Sequence, residues 1–172
     1  MPARFITLEG GEGAGKSTQA RRLGDRLVGF GHRVVLTREP GGSGLGDKLR
    51  ELILASRPKA PATEFLLFAA VRTEHLANLV VPALARGDWV VCDRFIDSTR
   101  VYQGDLAGID LRLIAEVEAV GYTAAAPQPI GHAGHDDDHD LDLDDLRRRL
   151  DPSDRRCFAF FHPQVDTIHR RE

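Results

Sequence analysis

A glycine-rich run that contains one lysine and one serine constrains this chain more than any other feature. Residues 10–17 read GGEGAGKS, so that Gly10 and Gly15 enclose four residues and lysine and serine follow directly. The short apolar segment before the run predicts a buried strand over residues 4–9. The residues after it repeat apolar side chains at helical spacing and predict a helix over residues 16–30. A strand, a glycine-rich turn and a helix N-terminus are therefore expected in direct succession.

This succession predicts a binding site for a nucleoside triphosphate. Glycines allow successive backbone N–H groups to curve around a phosphate, and the helix N-terminus adds its positive dipole end. At this spacing Lys16 reaches the β- and γ-phosphates, and Ser17 offers a hydroxyl to Mg²⁺. The alternative is a glycine-rich turn that matches by chance, which the flanking strand and helix disfavour. The predicted ATP-binding residues are Gly10, Gly11, Glu12, Gly13, Ala14, Gly15, Lys16, Ser17 and Thr18.

The order of the remaining elements predicts an α/β fold. Apolar segments predict strands over residues 33–37 and 89–92, and helical periodicity predicts helices over 47–55, 63–86 and 111–120. Pro82 should bend or restart the second of these helices, and Asp110 should cap the third. Alternating strands and helices favour a parallel sheet covered on both faces, the three-layer αβα arrangement of P-loop NTPases. Residues 140–144 alternate leucine with aspartate and fit either an edge strand or a loop.

Composition narrows the class of protein further. The 172 residues are enough for one compact domain, or one domain with a tail. A net charge of −3 argues against a nucleic-acid-binding surface. No apolar run approaches the roughly 20 residues that span a bilayer, so we expect no membrane partner. Two cysteines and a polar N-terminal segment fit the reducing cytoplasm, where we expect the chain to be located.

A triphosphate site alone does not distinguish a kinase from a switch GTPase or a motor protein. A kinase also needs a second site for the phosphate acceptor, and three short segments suggest such a site. Arg38 follows the second predicted strand, at the sheet edge where open α/β folds bind ligands, and its guanidinium suits a phosphate monoester. A solvated turn arginine is the alternative. Asp93 closes the third predicted strand and can hold Mg²⁺ through water, with Arg94 as a second phosphate contact. The alternative for Asp93 is a cap of the next helix.

The third segment lies on a helix. Phe68 and Arg72 are four residues apart and therefore share a face, where a ring and a guanidinium could stack on a nucleobase and bind its edge. Alternatively, Phe68 belongs to the core and Arg72 pairs with Glu64 or Glu74. The sequence lacks the Asn-Lys-x-Asp segment with which GTPases read guanine, so a switch GTPase is disfavoured.

Together these segments resemble the bacterial thymidylate kinase family. The resemblance covers about residues 4–120 and rests on FITLEGGEGAGKSTQ, TREPGG, LLFAAVR, PALARGDWVVCDRF and DSTRVYQG, in this order. It implies a nucleoside-monophosphate-kinase type of P-loop fold, Mg²⁺ with ATP as the cofactor, dTMP as the acceptor and a homodimer. It further implies that Lys16, Asp93 and Arg94 are catalytic and that Ser17 and Asp93 are associated with the metal.

The resemblance also assigns the acceptor site. It implies that Arg38, Arg50 and Arg94 hold the acceptor phosphate, that Phe68 stacks on the base and that Arg72 reads it. Further dTMP-binding residues by this resemblance are Glu12, Glu39, Thr99, Tyr102 and Gln103, of which Glu39 would help Mg²⁺ through water.

Beyond residue 120 the sequence departs from the family, and we predict a divergent lid and C-terminal segment, atypical or incomplete, over residues 121–172. Residues 119–135 contain no charged side chain other than histidine, and DDDHDLDLDD follows. The family pattern implies that the lid supplies an arginine to the transition state. The candidates are Arg147, Arg148, Arg149, Arg155 and Arg156, and the first three equally fit a solvated helix face.

The same tail leaves two further alternatives open. His132, His135 and His139 could bind a metal ion, although the polar composition favours a loop. The function is either phosphorylation of dTMP to dTDP in dTTP biosynthesis, or nucleotide binding by a catalytically impaired remnant of such a kinase. A P-loop phosphotransferase with another acceptor is the third, less favoured reading.

Overall fold

Three parallel strands form the centre of the computed structural model, which describes residues 4–55, 59–125 and 157–161. β1 spans Phe5–Gly10, β2 Val34–Arg38 and β3 Trp89–Asp93, and β3 lies between the other two. Both neighbours of β3 run parallel to it, with Leu8 and Arg38 each in register with Asp93. The carboxyl ends of all three strands therefore meet at one edge of the sheet, around Asp93.

A fourth strand, β4 at Cys157–Phe161, pairs with the free edge of β1. It runs antiparallel to β1, with Gly10 opposite Cys157 and Ile6 opposite Phe161. The three strands predicted from the sequence are therefore parallel as expected, and the antiparallel strand belongs to the C-terminal segment that departs from the family. An antiparallel neighbour needs no crossover connection, so a segment of the divergent tail can complete the ladder of β1 by backbone hydrogen bonds alone.

Helices cover both faces of the sheet. The longer ones are α1 (Lys16–Gly29), α2 (Gly44–Leu54), α3 (Pro61–His75) and α6 (Leu111–Ala125), and the short ones are α4 (Val81–Ala85) and α5 (Ile96–Thr99). Two π-helical segments, Leu76–Val80 and Arg100–Leu106, continue α3 and α5. Such wide turns are rare and are frequently found at functional sites.

The helix boundaries depend on local chemistry. The Ser43 side chain accepts a hydrogen bond from the Gly46 N–H, so α2 begins before the predicted residue 47. Asp110 caps α6 as predicted, through its contact with the Arg112 N–H at 2.7 Å. α3 has no side-chain cap at its N-terminus and begins at Pro61. A proline is favoured in a first turn because its missing N–H has no partner there.

Helical backbone extends from Pro61 to Ala85, but its hydrogen-bond pattern changes shortly before Pro82. The π-helical turn at Leu76–Val80 immediately precedes α4, so the helix restarts one residue before the proline as its missing N–H requires. A length of 25 residues and a mean hydropathy of 1.2 in its most apolar stretch also fit a membrane span. A core helix has the same features, and this one contributes Leu76, Val80 and Leu84 to the core.

The core consists of two layers separated by the sheet. Strand side chains alternate between the layers, as the two-residue period of a strand requires. On one face Ile6, Leu8 and Val91 pack against Ala20, Leu23 and Leu27 of α1. The apolar residues on the other face are Phe5, Leu76, Val80, Leu84, Val90, Cys92, Phe95 and Ile96. The α/β prediction with helices on both faces is confirmed.

Burial differs sharply between two neighbouring residues of α1. Leu27 is fully buried against the sheet, whereas Val28 is 57% exposed. We expect Leu27→Ala to lower the free energy of unfolding by about 2–5 kcal/mol, because truncation leaves a cavity as well as losing apolar contact. Val28→Ala should change it by less than about 0.5 kcal/mol. Urea denaturation followed by circular dichroism measures both, and equal effects would contradict the assignment of the core face.

Candidate functional site

The phosphate loop lies between β1 and α1 and has the backbone geometry that its glycines predict. Gly13 and Gly15 have φ values of 73° and 80°, in the left-handed region that favours glycine. Gly15 is the N-cap of α1 and provides no side-chain cap, so the first N–H groups of the helix are left for a ligand. Lys16 is 7% exposed and its Nζ donates to the Gly11 carbonyl at 2.6 Å. The Lys16 side chain thus lies across the phosphate loop, where it is predicted to bind the phosphates of ATP.

Ser17 and Asp93 meet at the carboxyl edge of the sheet. The Ser17 hydroxyl donates to Asp93 Oδ2, which joins the first turn of α1 to the end of β3. Asp93 Oδ1 is buried and has no hydrogen-bond partner within the described part of the chain. A hydroxyl and a carboxylate are the hard oxygen ligands that Mg²⁺ prefers, and the unpartnered oxygen leaves capacity for it or for its water. The two residues therefore fit a magnesium site.

Arg94 has an unusual backbone conformation. Its φ of 71° lies in the left-handed region, which costs a residue with a side chain about 1–3 kcal/mol and is often found at functional sites. Its Nη1 donates to the Gly10 carbonyl and to Ser98 Oγ, both at 3.2 Å. Its guanidinium lies 5.5 Å from the ring centroid of Tyr102. This conformation directs Arg94 toward the beginning of the phosphate loop.

A cleft of about 580 Å³ opens beside Ser17 and Asp93 and is lined on its other side by Arg38 and Asp47. Arg50 lies close by and donates to the Pro40 carbonyl at 2.5 Å. Partial burial and the positive charge of Arg38 lower the pKa of Arg50. Two guanidinium groups that repel each other in this way favour an anion between them. The cleft can therefore hold a phosphate group next to the predicted magnesium site.

Arg72 is 5% exposed and contacts Glu39, the residue that follows β2. Its Nε donates to Glu39 Oε2 at 2.8 Å, and its Nη2 donates to the Phe95 carbonyl at 3.1 Å and to Thr99 Oγ1 at 2.8 Å. On the far side Nη1 lies 4.0 Å from Glu118. Arg72 pairs with Glu39 rather than with Glu64 or Glu74, so the alternative pairing considered from the sequence is wrong.

Glu39 is 5% exposed, and each of its carboxylate oxygens has a partner inside the protein. Oε2 accepts from Arg72, and Oε1 is 3.0 Å from His75 Nδ1. Burial alone would raise the pKa of this carboxyl, but the Arg72 charge and the His75 hydrogen bond outweigh it, and the pKa lies below its usual value. Glu39 is thus ionised and orients Arg72. Help to Mg²⁺ through water stays a prediction, and these buried contacts do not favour it.

The remaining predicted base-site residues lie around Arg72. Thr99 and Gln103 are buried, and Gln103 Nε2 donates to Glu64 Oε1 at 3.0 Å. Phe68 is half-buried, whereas its neighbour Phe65 belongs to the core. Tyr102 is 40% exposed. Glu12 and Thr18 are exposed at the phosphate loop. The structure therefore gathers the predicted residues at one sheet edge, and their binding roles stay predictions.

Three buried polar residues of this region were missed from the sequence. Glu9 accepts hydrogen bonds from the Phe95 N–H at 2.6 Å and from Ser98 Oγ at 2.5 Å, and burial raises its pKa. Glu118 accepts from Arg100 at 3.3 Å, and burial raises its pKa as well. His75 is fully buried. The sequence offered one signal: a charged residue at a strand end or on the inner face of a helix must find a partner.

Other predictions fall on parts of the chain that the structure does not describe. The lid candidates Arg147, Arg148, Arg149, Arg155 and Arg156 lie outside the described residues. The same holds for His132, His135 and His139, and for the strand or loop at residues 140–144. Within residues 4–55, 59–125 and 157–161 no group of three or more metal-ligating side chains is present.

The fold and the phosphate loop define a P-loop protein of the nucleoside-monophosphate-kinase type, with an arginine-lined cleft beside its predicted metal site. A family model, "Thymidylate kinase", matches residues 8–127. The chain belongs to the thymidylate kinase family. A second model, of the malonyl-CoA decarboxylase C-terminal domain, matches only residues 135–167.

Individual relatives agree with this family. A thymidylate kinase of Bradyrhizobium sp. (strain BTAi1) is 56% identical over 108 residues, which are 62% of this chain and 48% of the relative. One of Synechococcus sp. (strain JA-3-3Ab) is 50% identical over 124 residues, or 72% of this chain and 61% of the relative. The crystal structure of thymidylate kinase from Ehrlichia chaffeensis superimposes with a TM-score of 0.67 at 41% identity, over 70% of this chain and 68% of that one. The chain thus spans about half to three fifths of the curated relatives.

The contacts of Glu39 predict how stability depends on pH. Because its folded pKa lies below the usual 4.5, Glu39 contributes its full stabilisation above that value and loses it as the pH falls through the folded pKa. We expect Glu39→Gln to be less stable than wild type at neutral pH and to lose less stability between about pH 5 and 3.

Thermal midpoints measured across this pH range test the prediction, with Glu51→Gln on the exposed face of α2 as control. The raised pKa values of Glu9 and Glu118 act in the opposite direction but are common to all three proteins. Identical pH slopes for wild type and Glu39→Gln would contradict the assigned ion pair.

Proposed function

We propose that this chain binds Mg·ATP and dTMP and transfers the γ-phosphoryl group of ATP to dTMP, giving dTDP. The observation that carries the proposal is the position of Asp93. It is in register with Leu8 beside the phosphate loop and with Arg38 beside the arginine-lined cleft. A donor phosphate on the loop and an acceptor phosphate in the cleft would therefore approach each other next to the predicted metal ligands.

The chemistry requires alignment more than acid or base catalysis. A phosphate-monoester acceptor is already anionic near neutral pH, so no residue must remove a proton from it. Lys16 would neutralise charge on the transferring group, while Arg38, Arg50 and Arg94 would hold the acceptor in line. When bound between Ser17 and Asp93, Mg²⁺ would supply further charge neutralisation.

The base end of the acceptor site rests on Arg72. Its guanidinium is fixed by Glu39 and Thr99 before a ligand arrives, and Phe68 lies one helical turn away on the same face of α3. A preorganised donor discriminates between bases because a poorly matching base leaves it unpaired. The fixed guanidinium thus supports a site that discriminates among bases, and the names of the relatives favour thymine.

Exposed apolar side chains on α2 and α3 support a homodimer. Four leucines of these two helices are between 52% and 61% exposed, namely Leu45, Leu52, Leu54 and Leu66. Apolar side chains concentrated on adjacent helices favour a protein partner, here a second copy in the cytoplasm. Leu52 is part of this exposed set, whereas its neighbour Ile53 is buried.

The second candidate function is that of a nucleotide-binding protein with impaired turnover. It is favoured by the tail, since the family match ends at residue 127 and the edge strand β4 runs antiparallel to β1. The residues proposed to bind ATP and dTMP all precede residue 105, so both nucleotides would still bind. What depends on the tail is charge stabilisation of the transition state by an arginine.

A coupled assay of ADP release with dTMP, dUMP, dCMP and dGMP tests the proposed acceptor. We expect dTMP to give the highest rate, and Lys16→Ala to abolish transfer while thermal stability is retained, because Lys16 serves phosphate. Lys48→Ala, which removes an exposed lysine of α2, is the matched control. Wild-type turnover by Lys16→Ala, or a preference for another acceptor, would overturn the proposal.

A chimaera distinguishes the two candidate functions. Replacing residues 121–172 with the corresponding segment of a full-length relative should raise the rate, since an arginine supplied to the transition state is worth about 10³–10⁵. Dissociation constants for ATP and dTMP, measured by calorimetry, should change little. If the native chain already turns over as fast as the chimaera, its own tail provides a working lid and the impaired reading is wrong.

A further inference from the structure

His75 is a fully buried histidine at the end of α3 to which the proposed function gives no role. Both of its ring nitrogens have partners at the carboxyl end of β2, one within the strand and one directly after it. Nε2 is 2.8 Å from Thr37 Oγ1, and Nδ1 is 3.0 Å from Glu39 Oε1. The imidazole therefore contacts the residues on either side of Arg38, one of the predicted phosphate ligands.

The chemistry of Glu39 fixes the direction of one of these hydrogen bonds. An ionised carboxylate only accepts hydrogen bonds, so the hydrogen must reside on His75 Nδ1, which donates to Glu39. The other carboxylate oxygen of Glu39 accepts from Arg72 Nε at 2.8 Å. Each oxygen of Glu39 thus has its own partner, and the carboxylate cannot rotate without breaking one of the two contacts.

The contacts continue from Glu39 to the predicted base site. Arg72 has a planar guanidinium, so fixing its Nε fixes the plane in which Nη1 and Nη2 lie. Nη2 donates to Thr99 Oγ1 at 2.8 Å. A continuous series of hydrogen bonds therefore links Thr37, His75, Glu39, Arg72 and Thr99, and all of these groups are buried or half-buried.

His75 also supports the loop after β2 by direct packing. A Cβ atom on Gly42 would lie 2.6 Å from His75 Cδ2 and 2.6 Å from Thr37 Oγ1. Gly42 has a φ of 83° and approaches the imidazole as closely as a residue without a side chain allows. The end of β2, which includes Arg38, and the loop from Glu39 to Gly42 therefore pack against the histidine ring.

We propose that His75 is a positioning residue for the acceptor site, because it holds Glu39 against Arg72 and supports the end of β2, where Arg38 lies. It contacts neither ATP nor dTMP. Its hydrogen bond to Glu39 fixes the base end of the site, and its contact with Thr37 and Gly42 fixes the phosphate end. This inference rests on the proposed function, since it assumes that Arg72 and Arg38 bind the two ends of dTMP.

Two substitutions separate the two ring nitrogens. Asparagine places its amide nitrogen near the position of Nδ1, and glutamine places its amide nitrogen near that of Nε2. We expect His75→Gln, which loses the donor to Glu39, to raise the dissociation constant of dTMP about tenfold or more, as for loss of a charge-assisted hydrogen bond. His75→Asn should raise it several-fold less. The dissociation constant of ATP should be unchanged in both.

Calorimetry with dTMP and with ATP measures these constants, and kinetics should show the KM for dTMP rising more than kcat falls. His32→Gln is the matched control, because His32 stacks on Trp89 at 4.8 Å and has no contact with the acceptor residues. A purely structural role would lower thermal stability without separating dTMP from ATP or glutamine from asparagine. Equal affinities of wild type and His75→Gln for dTMP, or equal losses for both nucleotides, would overturn the inference.

A measurement on the wild-type protein covers the case in which the variants do not fold. In ¹⁵N-labelled protein the signal of His75 Nδ1 should shift when dTMP is added and stay unchanged with ATP. No shift with dTMP would overturn the inference alone. A wild-type protein that binds ATP but not dTMP would instead overturn the proposed function, and this inference with it.

Discussion

The parallel pairing of β3 with both of its neighbours is the constraint on which the rest of the site depends. It brings Leu8, Arg38 and Asp93 to the same level of the sheet. The phosphate loop follows β1, Arg38 ends β2, and the predicted metal ligand Asp93 closes β3, so strand pairing alone brings together three segments that are distant in sequence. Backbone hydrogen bonds between the strands thereby set the distances between the phosphate loop, Arg38 and Asp93. Side-chain contacts such as that of Ser17 with Asp93 add to this arrangement.

Arg72 illustrates how such a site pays for a buried charge. Taking an isolated guanidinium out of water costs several kcal/mol, and a single ion pair often does no more than offset this. Here Glu39 provides a direct pair, Thr99 and the Phe95 carbonyl accept further hydrogen bonds, and Glu118 adds a second negative charge at 4.0 Å. Burying this cluster therefore costs desolvation free energy, and its many contacts hold the Arg72 guanidinium in one orientation. A fixed guanidinium suits the proposed role of Arg72 in discriminating among bases.

The sequence predicted the structure best where a local pattern of residue types favours one particular conformation. The glycines of the phosphate loop, the apolar face of α1 and the cap at Asp110 were predicted from local patterns, and the structure agrees with each. The inner partner of Arg72 was not predictable, because Glu64 and Glu74 are near it in sequence whereas Glu39 is near it only in the fold. The roles of Glu9, Glu118 and His75 were missed for the same reason. The direction of β4 could not be predicted either, since pairing along a sheet edge depends on tertiary contacts that local periodicity does not encode.

The position of β4 has a consequence for how the protein behaves among other chains. A strand at the edge of a sheet presents unpaired N–H and C=O groups, and an apolar edge such as that of β1 is a template for intermolecular pairing and aggregation. Five residues of β4 occupy this edge, from Ile6 to Gly10. β4 lies beyond the residues that match the family, and it nevertheless protects this edge of β1 from pairing with another chain. Because the backbone groups at this edge of β1 are already paired, a neighbouring molecule cannot add a strand there.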